Sequence, residues 1–488
     1  MAAVDQEHIL PPRSALRFPH LTSLDRAVIV VVALLFVLIG GTVLLGDRVG
    51  VQVTQIEPSG MPSGAAHSTS PITIRFSEAM NHDSVAAHFH LDPAPKTPGK
   101  FQWNGSTLTY QVADALKPGS TYTVALDAGA LSEDGRALLA NYRYSFTIMR
   151  PRVAYLYPAD SKPSNIWLVD PADPTHPTQI THSPTGIKDF SISPDGQQIA
   201  FTEDNNLNET TSDIKRIDLQ TGALEQLTNC QAALCSAPVW RPDSRMLVYE
   251  RIENDPQFGN SPPRLWLLDF STTPATTRPL FQETQILGYQ AQWSADGNRV
   301  AFVDRSSVAI DIYDLTTDKI VQVASTAGVT GAFSPDGKQL IYPDLVADHS
   351  GSGAMLNKLR LFNVDSGDFV SLSNDDLPTD DRRAAWSPDG KQVAIARQDG
   401  NATVRGVQVY LLDLATNQTK TLTDNSRYSN LGFWWDPTGT QLVLQRFPEL
   451  DANLQNDPNA LPEIWTLDLT SGDQVKVATD GFLPRWVP

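Results

Sequence analysis

Trp386-Ser387-Pro388-Asp389-Gly390-Lys391-Gln392-Val393-Ala394-Ile395 is the stretch whose reading decides the fold. An aromatic residue leads into four turn formers, and an apolar strand leads out. Pro presets φ at the second turn position, Asp tolerates the third, and Gly accepts the left-handed conformation that follows, so the segment predicts a tight hairpin. Variants recur at 192–196 (ISPDG), 240–244 (WRPDS), 293–297 (WSADG), 333–337 (FSPDG) and 435–439 (WDPTG). A second strand follows each turn (198–201, 246–249, 299–302, 339–342, 392–395, 441–444). A third strand ends in an acid or its amide (214–219, 265–270, 310–315, 359–364, 409–414, 464–469). A short polar strand, such as 224–228 or 419–423, completes the unit. Four strands repeated radially make a propeller blade.

Six units are complete, and remnants flank them. Residues 153–157, 166–170 and 178–181 read as second, third and fourth strands, while 484–487 reads as a first strand with Trp486 in the aromatic slot. Joined, they predict a seventh blade pairing the two ends of 153–488, at about 48 residues per blade. A six-bladed ring with one degenerate unit is the alternative. The Trp-Ser-Pro-Asp-Gly wording resembles the TolB-type propeller repeat, also found in the noncatalytic domain of prolyl oligopeptidase-like enzymes. The Gly-His…Trp-Asp signature of WD repeats is missing. The resemblance implies architecture; propellers host binding, scaffolding and catalysis alike.

Upstream, residues 27–46 are twenty positions without a charge. At about 1.5 Å per residue they span roughly 30 Å, a bilayer's hydrocarbon core. A cleaved secretory signal is the alternative, but the apolar run is long for one and no Ala-x-Ala site follows. Arg13, Arg17 and Arg26 precede the span, so the positive-inside rule predicts a cytoplasmic stub (1–26), a transmembrane helix (27–46) and an extracytoplasmic remainder, 47–488.

Residues 51–148 alternate in a two-residue rhythm. Ile72, Ile74 and Phe76 share one strand face, and Leu108 with Tyr110 another; Asn104-Gly105, Lys117-Pro118-Gly119 and Asp134-Gly135 supply turns. Short strands at this spacing predict a β-sandwich. PITIRFSEAMNHDSV, FQWNGSTLTY, LKPGSTYTVAL and YSFTI also resemble the bacterial Ig-like domain of surface-layer and adhesin-type proteins, which implies a spacer or stalk. His82, His88 and His90 raise the question of a metal, with His88 and His90 expected on one strand face. No carboxylate or Cys completes a ligand set, and solvated histidines are the expectation. The chain is thus expected to be all-β: a single transmembrane helix, an Ig-like sandwich and a seven-bladed propeller.

The net charge is −18 and residues 1–50 are neutral, so the acidic body argues against nucleic-acid binding. Two cysteines, Cys230 and Cys235, are too few for a disulfide-framed fold or a four-cysteine zinc site but close enough for a disulfide outside the cytoplasm. No Gly-x-Ser-x-Gly elbow, His-Glu-x-x-His, Walker loop or Gly-x-Gly-x-x-Gly occurs, and no cofactor is implied. His349-Ser350-Gly351-Ser352-Gly353 lacks the first Gly of a serine elbow. Acid-rich stretches at 203–206 and 375–381 lack the EF-hand spacing. A hydrolase domain of the oligopeptidase kind is not expected beside the anchor and sandwich.

Two functions survive. One is a membrane-anchored binding protein whose partner is a protein or a cell-envelope polysaccharide. The other is a propeller enzyme acting on a glycan or lactone, which requires at least two carboxylates facing the central channel. The first-strand segments read DFSI, APVW, QAQW, TGAF, RAAW, LGFW and LPRW, and only Asp189 there is acidic. Binding is therefore favoured. The uniform SPDG turns serve structure, whereas the second-to-third connections vary from six to eighteen residues on the opposite face. Long unequal loops are where binding residues reside. The fourth-to-first connections join that face and contribute Tyr289, Asp376, Asp381, Arg382, Arg383, Arg427 and Tyr428 as candidate binding residues.

Overall fold

The computed structural model describes residues 22–46, 50–58, 65–206, 210–255, 257–272, 274–282, 285–349, 353–451, 453 and 455–488. Most of the stub, 1–21, and the Ser350-Gly351-Ser352 part of the serine-rich loop lie outside the described residues. Helix α1 runs Ser23–Gly46, and its Ser23–Gly41 portion is long and apolar enough to cross a membrane. Thr22 starts it: Asp25 N–H donates to Thr22 Oγ1, and Asp25 Oδ2 accepts from Thr22 N–H, the reciprocal pairing of a capping box.

The sandwich packs two four-stranded sheets. One has the order Val53–Pro58, Ile72–Phe76, Thr107–Gln111, Lys100–Asn104; the other Ala65–Ala66, Tyr142–Ile148, Thr121–Leu126, Phe89–Asp92. Ile72, Ile74, Phe76, Leu108, Tyr110 and Phe146 meet in the core. One segment departs from the sequence reading. His82–His88 is a short helix, α2, because Asn81 caps it by accepting the Ser84 N–H. The three histidines then diverge. His82 stacks on Trp103, His88 Nδ1 meets Ser84 O, and His90 pairs with Asp127, just past the end of the paired strand Thr121–Leu126.

Seven four-stranded antiparallel units follow among the described residues. Their innermost strands are Ile187–Ile192, Ala233–Trp240, Gly288–Trp293, Ala332–Phe333, Thr379–Trp386, Ser429–Trp435 and Phe482–Val487, here blades 1 to 7 in that order. In blade 7 the C-terminal strand pairs with Arg152–Tyr157 (Trp486 opposite Val153), outside which lie Asn165–Asp170 and Asp173–Gln179.

The repeat's letters now have physical jobs. In the turns, Ser193 Oγ donates to Asp195 Oδ1 and accepts from Gln198 N–H, and Ser294, Ser334 and Ser387 repeat the pair. Gly390 sits at φ 69°, which only Gly adopts freely. The acid ending a third strand accepts N–H groups just beyond it, as Asp218 does from Gln220 and Thr221 and Asp269 from Ser271; Asn363 does the same through its amide oxygen. The aromatic slot ties blades together. Trp240, Trp293, Trp386, Trp435 and Trp486 each donate the indole N–H to a backbone carbonyl in the preceding blade's inner strand: Ser191, Val239, Ala332, Ala385 and Trp434.

The Ig-like module meets the propeller on the SPDG-turn face. A Cβ on Gly196 would lie 3.0 Å from the His67 ring. Burial there pushes the His67 pKa down.

Candidate ligand-binding channel

Alternation along an inner strand sends every second side chain toward the ring axis. The positions one and three residues before the aromatic slot face inward, giving two rings. The outer ring of the pair is Ser191, Val239, Gln292, Ala332, Ala385, Trp434 and Arg485; the deeper is Asp189, Ala237, Gln290, Thr330, Arg383, Gly432 and Leu483. Most of these line one cavity of about 770 Å³, whose rim reaches Ala295, Pro335 and Pro388 of the turns. That size suits a small ligand.

The inner strands are bulged where the deeper ring sits. Register breaks fall at Ser236/Val239, Tyr289/Gln292 and Phe482/Arg485. Ala237, Gln290 and Leu483 there have φ of 52°, 54° and 49°, a conformation that costs non-glycine residues about 1 kcal/mol or more. Each freed amide is caught by the blade before it. Asp189 Oδ2 accepts from Ala237 N–H at 3.2 Å, Glu250 Oε1 from Gln290 N–H at 2.7 Å, and Gln445 Oε1 from Leu483 N–H at 2.8 Å. Asp189 Oδ1 also accepts from Thr202 Oγ1. Burial pushes both carboxyls up in pKa; for Glu250 the nearby Asp189 adds to the effect.

Across the channel lies the opposite charge. The Arg383 guanidinium carbon is 4.6 Å from the Trp434 ring centre, and that of Arg485 is 4.0 Å from it. Among the described residues neither forms an ion pair. Arg383 gives one long bond to Phe433 O (3.4 Å), and its Nε is buried without a hydrogen-bond partner. Arg485 donates to Pro484 O. Burial pushes Arg383 down to about 10. Burial, with Arg383 adding, pushes Arg485 down to about 9 against the pull of Asp189. Both stay cationic at neutral pH, at some expense in desolvation. Planar cations with unspent N–H groups suit an anion.

The sequence-predicted residues scatter. Only Arg383 enters the channel. Asp381 is fully buried inside blade 5, accepting from Arg397 Nε at 2.6 Å and from Ser373 Oγ. Arg382 pairs with Asp380, and Asp376 meets His349 at the surface. Tyr289 lies under Arg305. Arg427 and Tyr428 do come together, with Arg446 and Trp465, in a cation–aromatic stack beside Leu450 O. The acid-rich stretches are paired with bases: Asp204 with Lys188, Glu203 with Lys215, Asp375 with Arg360. Cys230 and Cys235 are joined as a disulfide. Missed by the sequence reading were Arg485, Trp434 and Glu250. The inward positions of LPRW would have yielded Arg485; Glu250 lies on a second strand, outside the segments searched.

Residues 47–148 match the bacterial Ig-like domain family. Over 147 residues the chain is 26% identical to dipeptidyl-peptidase 5 of Porphyromonas gingivalis, a match covering 28% of this chain and 21% of that enzyme. The chain thus spans about a fifth of the length of that curated relative. TolB from Acinetobacter baumannii is 14% identical, with 90% of this chain and 99% of that chain covered and a TM-score of 0.41. A periplasmic gluconolactonase from Pseudomonas aeruginosa is 14% identical, with 69% and 98% covered and a TM-score of 0.45.

Proposed function

We propose that this chain is a membrane-anchored extracytoplasmic binding protein: α1 holds it in the membrane, the Ig-like module is the stalk, and the propeller channel is the binding site. The observation that carries the reading is the pair Arg383 and Arg485 about Trp434, with hydrogen-bonding capacity unspent. The Cys230–Cys235 disulfide supports placement outside the cytoplasm. We place the site in the channel, because Arg383, one of the loop-face candidates, lines this cavity together with Arg485 and Trp434.

A second reading, catalysis on a glycan or lactone, is favoured by one observation: Glu250, raised in pKa by burial, lines the channel, with Asp189 near enough to add to the shift. Their geometry gives them a structural role instead. Gln445 holds the Leu483 amide as Glu250 holds that of Gln290, so an uncharged acceptor suffices for this task. The test is to extract the full chain in detergent, denature it, and identify released small molecules by mass spectrometry. A species retained by the wild type and lost from Arg383→Ala/Arg485→Ala supports the binding reading; identical profiles oppose it. If the released species is converted by the wild type but not by Glu250→Gln, the enzyme reading takes its place.

A further inference from the structure

We infer that the channel's ligand is a hydroxylated carboxylate, a sugar acid in chemical class; the inference rests on the channel-binding reading above. Charge comes first. Arg383 and Arg485 stand together on Trp434, and among the described residues neither forms an ion pair. Buried cations without a carboxylate partner call for negative charge on the ligand. A planar guanidinium pairs with a planar carboxylate through two parallel N–H donors, and the Nε of Arg383 is one donor without a protein partner. A dianionic phosphate fits less well, because the Glu250 carboxyl also lines the cavity.

The remaining surface specifies the rest of the molecule. Gln290 and Gln292 are exposed within the channel, at successive inward positions of blade 3. Primary amides offer both donors and acceptors, which is what a row of hydroxyls requires. Beside them Thr330 spends its hydroxyl proton on Gln290 O, fixing the strand that carries the amide. Arginines on blades 5 and 7 and glutamines on blade 3 therefore meet a ligand at opposite ends, carboxylate to one side and hydroxyls to the other. A cavity of about 770 Å³ accommodates one or two sugar rings.

The experiment is titration calorimetry on the detergent-extracted full chain, with glucuronate, glucose and glucose 6-phosphate as probes. The expected result is that glucuronate binds, glucose binds roughly tenfold or more weakly, and Arg383→Gln loses a similar factor for glucuronate only. Arg383→Gln is compared at matched melting temperature, and Arg383→Lys, which keeps the charge without the fork, is expected to fall between. Equal binding of glucose and glucuronate, tighter binding of glucose 6-phosphate, or an unchanged Arg383→Gln affinity overturns the inference. No binding of glucuronate, together with arginine-dependent retention of another molecule, overturns the sugar-acid class and leaves the channel-binding reading standing. No arginine-dependent retention at all removes both.

Discussion

Trp486 donates its indole N–H to the backbone carbonyl of Trp434, 3.1 Å away in the neighbouring blade. The bond joins the last strand to blade 6, while the same strand's backbone pairs with Arg152–Tyr157. Removing 482–488 would strip blade 7 of its inner strand and expose the edge of Arg152–Tyr157. A drop in melting temperature much larger than trimming a frayed tail gives is expected. Trp486→Phe, which keeps the ring and loses the donor, should cost about 1 kcal/mol. Thermal unfolding monitored by circular dichroism checks both.

The acid clamps on the bulges predict a split between isosteric and truncating changes. Glu250→Gln keeps an acceptor for Gln290 N–H and should leave stability within about 0.5 kcal/mol, whereas Glu250→Ala leaves that amide orphaned and should cost about 1–3 kcal/mol. Chemical denaturation of the two variants distinguishes the clamp from a charge requirement.

Asp311 predicts a pH dependence. It is 2% exposed, its Oδ1 has no hydrogen-bond partner, and burial, with Asp304 adding, pushes its pKa up to about 6. A folded-state pKa above the unfolded value means the native state holds the proton longer, so stability falls as pH rises between the unfolded carboxyl range and about 6. Asp311→Asn should therefore raise the melting temperature at pH above 6, and the gain should fade toward acid pH. A gain independent of pH would assign the effect to packing instead.

Cys230 and Cys235 close a short loop, for which chain-entropy reasoning gives about 2 kcal/mol. Asp213 also holds this loop, accepting from Cys230 N–H and Thr228 Oγ1, so Cys230→Ala/Cys235→Ala should destabilise without unfolding. Maleimide labelling should require prior reduction.

Much of this was legible in the sequence because the repeat ties chemistry to position. The SPDG turns, the strand-ending acids and the aromatic slot each recur with one local geometry, so they can be read without the fold. The Ig-like strands were legible for the same reason, through the alternation of Ile72, Ile74 and Phe76. α2 was not, since a seven-residue helix is set by one cap, Asn81, against a strand-like background. The channel was half legible. Its inward positions are fixed by strand period, but the search along them counted acids and passed over arginines. Of the adjacent tryptophans, Trp435 makes the interblade bond as its place in the repeat implied, while Trp434 lines the channel and was passed over. Asp381 looked available in the sequence, and only the fold brings Arg397 across from the next strand to consume it.

The most direct test of the channel as the binding site is an arginine footprint. Full-length protein, stripped of small molecules, is treated with phenylglyoxal before and after addition of an envelope extract of small molecules, and each arginine's modification is read by peptide mass spectrometry. The account predicts that Arg383 and Arg485 react in the stripped protein and are protected by the extract, while Arg382 and Arg427 react alike in both. Equal modification of Arg383 and Arg485 with and without the extract would contradict it.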